Sequence, residues 1–183
     1  MLDTLQTDLR ESLAMKTILS ILILLFLALV ATPIYAEDFV LQYLAAACPV
    51  ASKNNSQVVE TEFGPGVQHR DGKGSDVVIR CSVNPDNVNY FLWFQLIAED
   101  NTPNGYATAT LWRAYTGRPA PGLAEQLAQV TTTDAPGVQI AFNNEFELTA
   151  DPGHYVYWIE IRIVRTSPDA AVTVYSVTLK DVL

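Results

Sequence analysis

The sequence predicts an all-β protein, an antiparallel β-sandwich of jelly-roll-like type with about eight strands, following an N-terminal signal peptide. Three observations predict it. Glycine and proline cluster at intervals: Gly64-Pro65-Gly66, Gly72 and Gly74, Pro85, Pro103 to Gly105, Gly117 to Gly122, Pro136-Gly137, Pro152-Gly153 and Pro168. The stretches between them are short and rich in valine, isoleucine, threonine and aromatic residues, which suit a pleated, half-buried surface. One stretch, His154 to Arg165, alternates so strictly that Tyr155, Tyr157, Ile159, Ile161 and Ile163 share one face, with Glu160 and Arg162 on the other. No interval shows a long amphipathic helix.

The first element is a leader. Ile18 to Ala31 is almost wholly apolar, preceded by Met15-Lys16 and followed by Thr32-Pro33-Ile34-Tyr35-Ala36 and the acidic pair Glu37-Asp38. A positive n-region, an apolar h-region and a small residue at the cleavage point make a secretory signal. As a helix the apolar run spans roughly 21 Å, short of the ~30 Å hydrocarbon core of a bilayer. Cleavage is expected after Ala36, making residues 1–36 the leader and residues 37–183 a single β-sandwich domain, secreted or periplasmic, with no stable membrane span after cleavage. The residues before Met15 carry Asp3, Asp8 and Glu11 against Arg10, the wrong charge for an export signal, so Met15 is the expected true start. Two competing readings are an uncleaved signal anchor and a lipobox at Ala45-Ala46-Ala47-Cys48.

Across its 183 residues the chain has 11 Lys+Arg against 20 Asp+Glu, a formal charge of -9. The leader holds only Arg10 and Lys16 against three acids, so the mature chain stays acidic. That charge, with no Lys/Arg cluster, excludes the usual nucleic-acid binder, which neutralises phosphates with a basic face. Cys48 and Cys81 both follow the cleavage site, and an even count in an exported chain predicts one disulfide. Closing that loop would stabilise the domain by roughly 3–4 kcal/mol in the chain-entropy model.

Along the mature chain, the apolar run Phe39 to Ala47 is ambiguous between strand and helix. Strands are expected at Gln57 to Glu62, Val77 to Val83, Gln126 to Thr132 and Val138 to Phe142. Leu123 to Val130 alternatively forms a turn or two of helix, since Leu123 and Leu127 share a helical face. Tyr90 to Ala98 is apolar on both faces, as in a central strand covered on both sides, which places Trp93 in the core. Tyr106 to Tyr115 is its expected partner through the Asn104-Gly105 turn. Ala171 to Lys180 is strongly β-branched but alternates poorly, and Ser167-Pro168-Asp169 suggests that it forms a C-terminal hairpin with His154 to Arg165.

Several of these features together resemble secreted microbial jelly-roll-like β-sandwich domains of unassigned function. The likeness spans residues 57–183. It rests on Asn84-Pro85-Asp86-Asn87 before a long strand, the loop from Asp100-Asn101 to Gly105-Tyr106, Leu111-Trp112-Arg113, the strand start Tyr155-Val156-Tyr157 and the closing Val174-Tyr175-Ser176-Val177-Thr178-Leu179. The resemblance implies a fold and assigns no catalytic residue.

Chemistry is sparse. Nucleophilic hydrolysis needs a base near a serine or cysteine, and the only histidines are His69, in the polar run His69 to Asp76, and His154, at a strand start. There is no Gly-x-Ser-x-Gly elbow, no His-x-His and no His-Glu-x-x-His, so neither a nucleophile nor a metal site is expected, and no cofactor is implied. Asp100, Asn101 and Asn104 carry oxygen ligands of the kind Ca²⁺ takes, yet turns favour the same residues. Trp112 and Trp158 are the candidate ligand-binding residues, because each lies beside charged neighbours on a mixed strand face. The expected function is a non-catalytic, secreted recognition module for a glycan or a cell-surface partner. The alternatives are a structural subunit of an extracellular assembly that lends residues 39–47 as an added strand, and a hydrolase with a carboxylate pair that spacing cannot reveal. Oligomeric state is left open.

Overall fold

The structure, a computed structural model, describes residues 40–53, 55–70, 76–85, 90–101, 104–116, 124–133, 135–167 and 169–180. The leader, its cleavage site and Phe39 lie outside the described residues.

Twelve strands are present among the described residues, more than the eight or so expected: Val40–Leu44 is a strand, Gly64–His69 is a strand where glycine and proline predict a turn, the Tyr90 to Ala98 run divides into Tyr90–Phe91 and Trp93–Asp100, and Leu148–Thr149 adds a short one. The first strands are β1 (Val40–Leu44), β2 (Ser56–Thr61), β3 (Gly64–His69), β4 (Val77–Val83), β5 (Tyr90–Phe91) and β6 (Trp93–Asp100). The rest are β7 (Gly105–Tyr115), β8 (Glu125–Thr131), β9 (Gly137–Asn143), β10 (Leu148–Thr149), β11 (Tyr155–Arg165) and β12 (Val172–Lys180). One sheet runs β2-β3-β12-β6-β9, with β1 also on β12; the second runs β4-β11-β7-β8; β5 and β10 form a small third pair. All pairs are antiparallel.

Alternation decides the core. Phe94, Leu96 and Ala98 of β6 and Val174, Val177 and Leu179 of β12 are buried with Ile159, Ile161 and Ile163 of β11 and Ala107, Ala109 and Leu111 of β7. The set expected to face inward on β11 does so, with Tyr155 only partly buried at its end. The poor alternation of β12 has a local cause: between Val174 and Ser176 the register on β6 shifts by one residue, so the inward set changes from Val172 and Val174 to Val177 and Leu179. The extra residue, Tyr175, donates its hydroxyl to Glu99. A second bulge explains the helical look of Leu123 to Val130. Leu111 and Trp112 pair with Ala128 and Gln126, which leaves Leu127 as the inserted residue of a strand, Glu125–Thr131.

The two expected hairpins are not hairpins. β6 and β7 lie in different sheets, and so do β11 and β12. Each connection is an arch from one sheet to the other, and the two arches pack side by side: Asn101 N–H donates to the Ala171 carbonyl and Thr166 N–H to the Asn104 carbonyl. The approach is close at Gly105, where a Cβ would lie 2.5 Å from Val172 Cγ2 and 3.2 Å from the Val164 carbonyl. The glycine read as a turn signal is thus required by packing between the sheets.

Residues 40–47 are also settled locally. Val40 to Leu44 pair with Lys180 to Ser176 on the edge of β12 that β3 leaves uncovered, since β3 reaches only Thr173 and Val174. A single 3₁₀ turn, Ala45–Ala47, then leads to Cys48, which is bonded to Cys81. The donor-strand alternative is corrected accordingly: this segment completes its own sheet. A lipid-bearing Cys48 is overturned as well, because its sulfur is held in the disulfide. No helix among the described residues is long and apolar enough to cross a membrane.

Candidate functional site

The outer face of the four-stranded sheet carries the candidate site. Ile159 and Leu111 point into the core, so their strand neighbours Trp158 and Trp112 point outward. The β11–β7 register sets these two tryptophans directly opposite each other. Their rings are stacked, with centroids 6.3 Å apart and planes 11° from parallel. Both are half-buried.

A groove of about 510 Å³ opens beside the pair, lined by Arg80, Ser82, Trp112, Ala124, Trp158 and Glu160. A second of about 360 Å³ continues along the same face past Thr108, Thr110, Gln129 and Arg162, sharing Trp112 and Glu160 with the first. One rim is a chain of opposite charges. Glu160 accepts from Arg80 at 2.9 Å and lies 3.8 Å from Arg162, which reaches Asp76 at 4.0 Å. Two cations and two anions alternate there, so the rim is locally neutral in a strongly acidic protein. Across the sheet, Arg113 is held by Glu125 at 2.7 Å and lies 4.7 Å above the Tyr155 ring. Such exposed pairs contribute little to stability but hold side chains in place.

The indole N–H of Trp112 is buried and meets no acceptor among the described residues. An unsatisfied donor costs about 1–3 kcal/mol, and native proteins retain few of them. Trp158 and Trp112 thus combine a broad apolar face with hydroxyls, carboxamides and charged groups along its border, a surface complementary in chemistry to a molecule with one apolar face and a polar perimeter.

The other candidates are placed differently. Trp93 is not a core residue: it lies on the outer face of β6, stacked on Phe142 with centroids 4.9 Å apart. The expectation that both faces of Tyr90 to Ala98 are covered fails because Gln95 and Ile97 share this half-buried outer face. His154 is exposed, bound to Asp151 at 2.8 Å and stacked against Tyr115. Asp100 is buried at the end of β6, paired with Val172 beside the arches.

His69 is corrected most. It is the last residue of β3, buried between the sheets, and its Nε2–H donates to the Ile163 carbonyl at 3.2 Å. Its Nδ1 lone pair is buried and unpartnered among the described residues. Burial pushes its pKa below the ordinary 6.5 and Arg165 adds to this, while the Ile163 carbonyl and Asp76 oppose it. The folded state therefore prefers neutral imidazole. Its contribution is complete above the unfolded value near 6.5 and is lost as pH falls from there through the lower folded value. The urea midpoint should accordingly decline from about pH 7 to about pH 5, and His69→Gln should flatten that part of the curve. Equal pH profiles for the two proteins would refute the assignment.

No protein-family model matches the chain, and no curated protein matches it. Solved structures are similar at low identity. One is the CBM36-1 domain of a multidomain xylanase from the hindgut metagenome of Trinervitermes trinervoides, with TM-score 0.49 and 11% identity over 80% of this chain and 99% of that chain. Another is the C-terminal CBM6 of a laminarinase from Zobellia galactanivorans, with TM-score 0.48 and 9% identity over 78% of this chain and all of that one (100%). A third is a CBM61 in complex with β-1,4-galactotriose, with TM-score 0.43 and 9% identity over 80% of this chain and 90% of that chain.

Proposed function

We propose that this protein is a non-catalytic recognition module, exported after removal of residues 1–36, that binds a neutral glycan on the outer face of its four-stranded sheet. The observation that carries the proposal is the Trp112–Trp158 pair: two near-parallel indoles, held in register by adjacent central strands, at the floor of a groove with polar walls. A pyranose ring has an apolar C–H face and a hydroxyl perimeter. The indoles match the first; Ser82, Thr110, Gln129, Glu160 and the arginines match the second. Charge narrows the class. Arg80, Glu160, Arg162 and Asp76 neutralise one another, leaving no surplus cation among these four rim residues to attract a polyanion. Glu160 and Asp76 are both engaged by arginine, which suits them to holding a ligand rather than to acid–base work on it.

The test is affinity electrophoresis of the whole chain on hydroxyethyl cellulose, xylan, β-1,4-galactan and laminarin, with carboxymethyl cellulose as a polyanion, and with wild type beside Trp112→Ala and Trp158→Ala. Retardation by at least one neutral polymer is expected, weakened about tenfold or more in each variant. Affinity should change less than about twofold between low and high salt, because no net charge is neutralised on binding. Retardation by polyanions alone, with a steep salt dependence, would overturn the neutral-glycan assignment. Binding indifferent to both tryptophans would overturn the site.

A further inference from the structure

The opposite sheet carries a second aromatic platform that the preceding proposal does not use. Trp93 of β6 and Phe142 of β9 stack with centroids 4.9 Å apart and planes 11° from parallel, and Phe142 is 54% exposed. Gln95 lies directly opposite Phe142 across the β6–β9 ladder. A groove of about 550 Å³ beside them is lined by Leu92, Trp93, Gln95, Asn144 and Lys180. Two carboxamides and an ammonium therefore border the stacked rings. Each carboxamide offers both a donor and an acceptor, the pairing that vicinal hydroxyls require.

The site is built on regular structure. Phe94 and Leu96 are anchored in the core, which obliges Trp93 and Gln95 to face away from it. The same alternation turns Trp112 and Trp158 outward on the other sheet, so the two platforms sit on opposite outer faces with the whole core between them. A single sugar chain lying flat on one platform cannot also lie flat on the other.

We infer that Trp93, Phe142, Gln95 and Asn144 form a second glycan-binding site, and that the protein is bivalent and bridges two separate glycan chains. The occupant is a sugar chain because the groove lining combines the Trp93 ring with two carboxamides and an ammonium, groups that bond hydroxyls, while the exposed apolar residues Val138 and Ile140 of β9 lie outside that lining. The identification of the ligand as a glycan is shared with the Trp112–Trp158 proposal, but the observation is independent of it. Bridging follows from geometry: two sites facing apart convert one weak contact into cross-linking and raise avidity on a dense glycan surface.

The experiment uses the whole chain with immobilised cellulose, xylan, β-1,4-galactan and laminarin. Calorimetry with short oligosaccharides of the retained polymer, and aggregation of polymer-coated beads, provide the two readouts. Wild type should bind two oligosaccharides per chain and clump the beads. Trp93→Ala and Phe142→Ala should each bind one and lose clumping, while keeping wild-type thermal unfolding and retention through Trp112. Trp112→Ala should likewise bind one and lose clumping. Two results overturn the second site alone: one oligosaccharide per wild-type chain, or Trp93→Ala and Phe142→Ala without effect while Trp112→Ala abolishes binding. A change in molar mass on Trp93→Ala, with sugar binding intact, would show that a second copy of the chain occupies this face and would also overturn it. Complete loss in Trp93→Ala with Trp112→Ala unaffected would instead sink the first site and leave this one standing as the only one, without bridging. No retention on any polymer would overturn both.

Discussion

Deletion of residues 40–47, with Cys48 retained, is expected to leave a chain that cannot hold the sandwich. β1 makes five paired positions along β12, from Val40–Lys180 to Leu44–Ser176. Cross-strand pairs contribute roughly 0.2–1 kcal/mol each. Leu41 and Tyr43 pack against the core, and Ala45 is wholly buried. At about 0.8 kcal/mol per buried CH₂, losing these contacts brings the total to several kcal/mol, comparable with the ~5–15 kcal/mol that holds a domain together. The deletion also strips the edge of β12 next to Val177 and Leu179, leaving backbone groups without partners beside the core. Circular dichroism and light scattering should show loss of cooperative unfolding and association of the exposed edge. A monomer with the wild-type urea midpoint would contradict this and would free residues 40–47 to serve another copy.

Replacing both cysteines by alanine should lower stability by about 3–4 kcal/mol. For a domain of this size that corresponds to roughly 6–16 °C in Tm. The bond joins Cys48, just after a strand of one sheet, to Cys81, buried in β4 of the other, with Cα atoms 5.0 Å apart. It fastens the two sheets together and holds the next segment against the free edge of β4. There Ala51 N–H donates to the Val78 carbonyl, Arg80 N–H to the Pro49 carbonyl, and Val50 bridges Ile79. Calorimetry of the double variant, and of wild type with and without reductant, measures the effect. An unchanged Tm, or free thiols in denatured wild-type protein, would refute it.

The fold was legible where one residue's neighbours along the chain decide its face. The inward set Tyr157, Ile159, Ile161 and Ile163 could be read directly, and so could the outward position of Trp158 beside Glu160. Trp112 was singled out by its charged neighbour, and the register on Trp158 then brought the two together. The run Tyr90 to Ala98 predicts a core position for Trp93 because it is apolar at every residue but Gln95. Apolar residues exposed on β9, such as Ile140 and Phe142, show that this sheet keeps a hydrophobic outer face. The polar run His69 to Asp76 predicts a loop, but its first residue is the last of β3, and nothing local signals that His69 is buried between the sheets.

Local pattern is enough to identify most of the longer strands, the buried face of most of them, and two cysteines able to pair; it fails at Gly64–His69, a strand whose glycines and proline predict a turn. Which strands are neighbours depends on contacts across the fold. Period-two alternation is the same whether a chain turns back within its own sheet or arches over the core to the other. The choice was made at Gly105, where contact with Val172 and Val164 lets two arches nest, and at Tyr175 and Leu127, where one inserted residue resets the register. These contacts join residues far apart in the chain, and no local pattern encodes them.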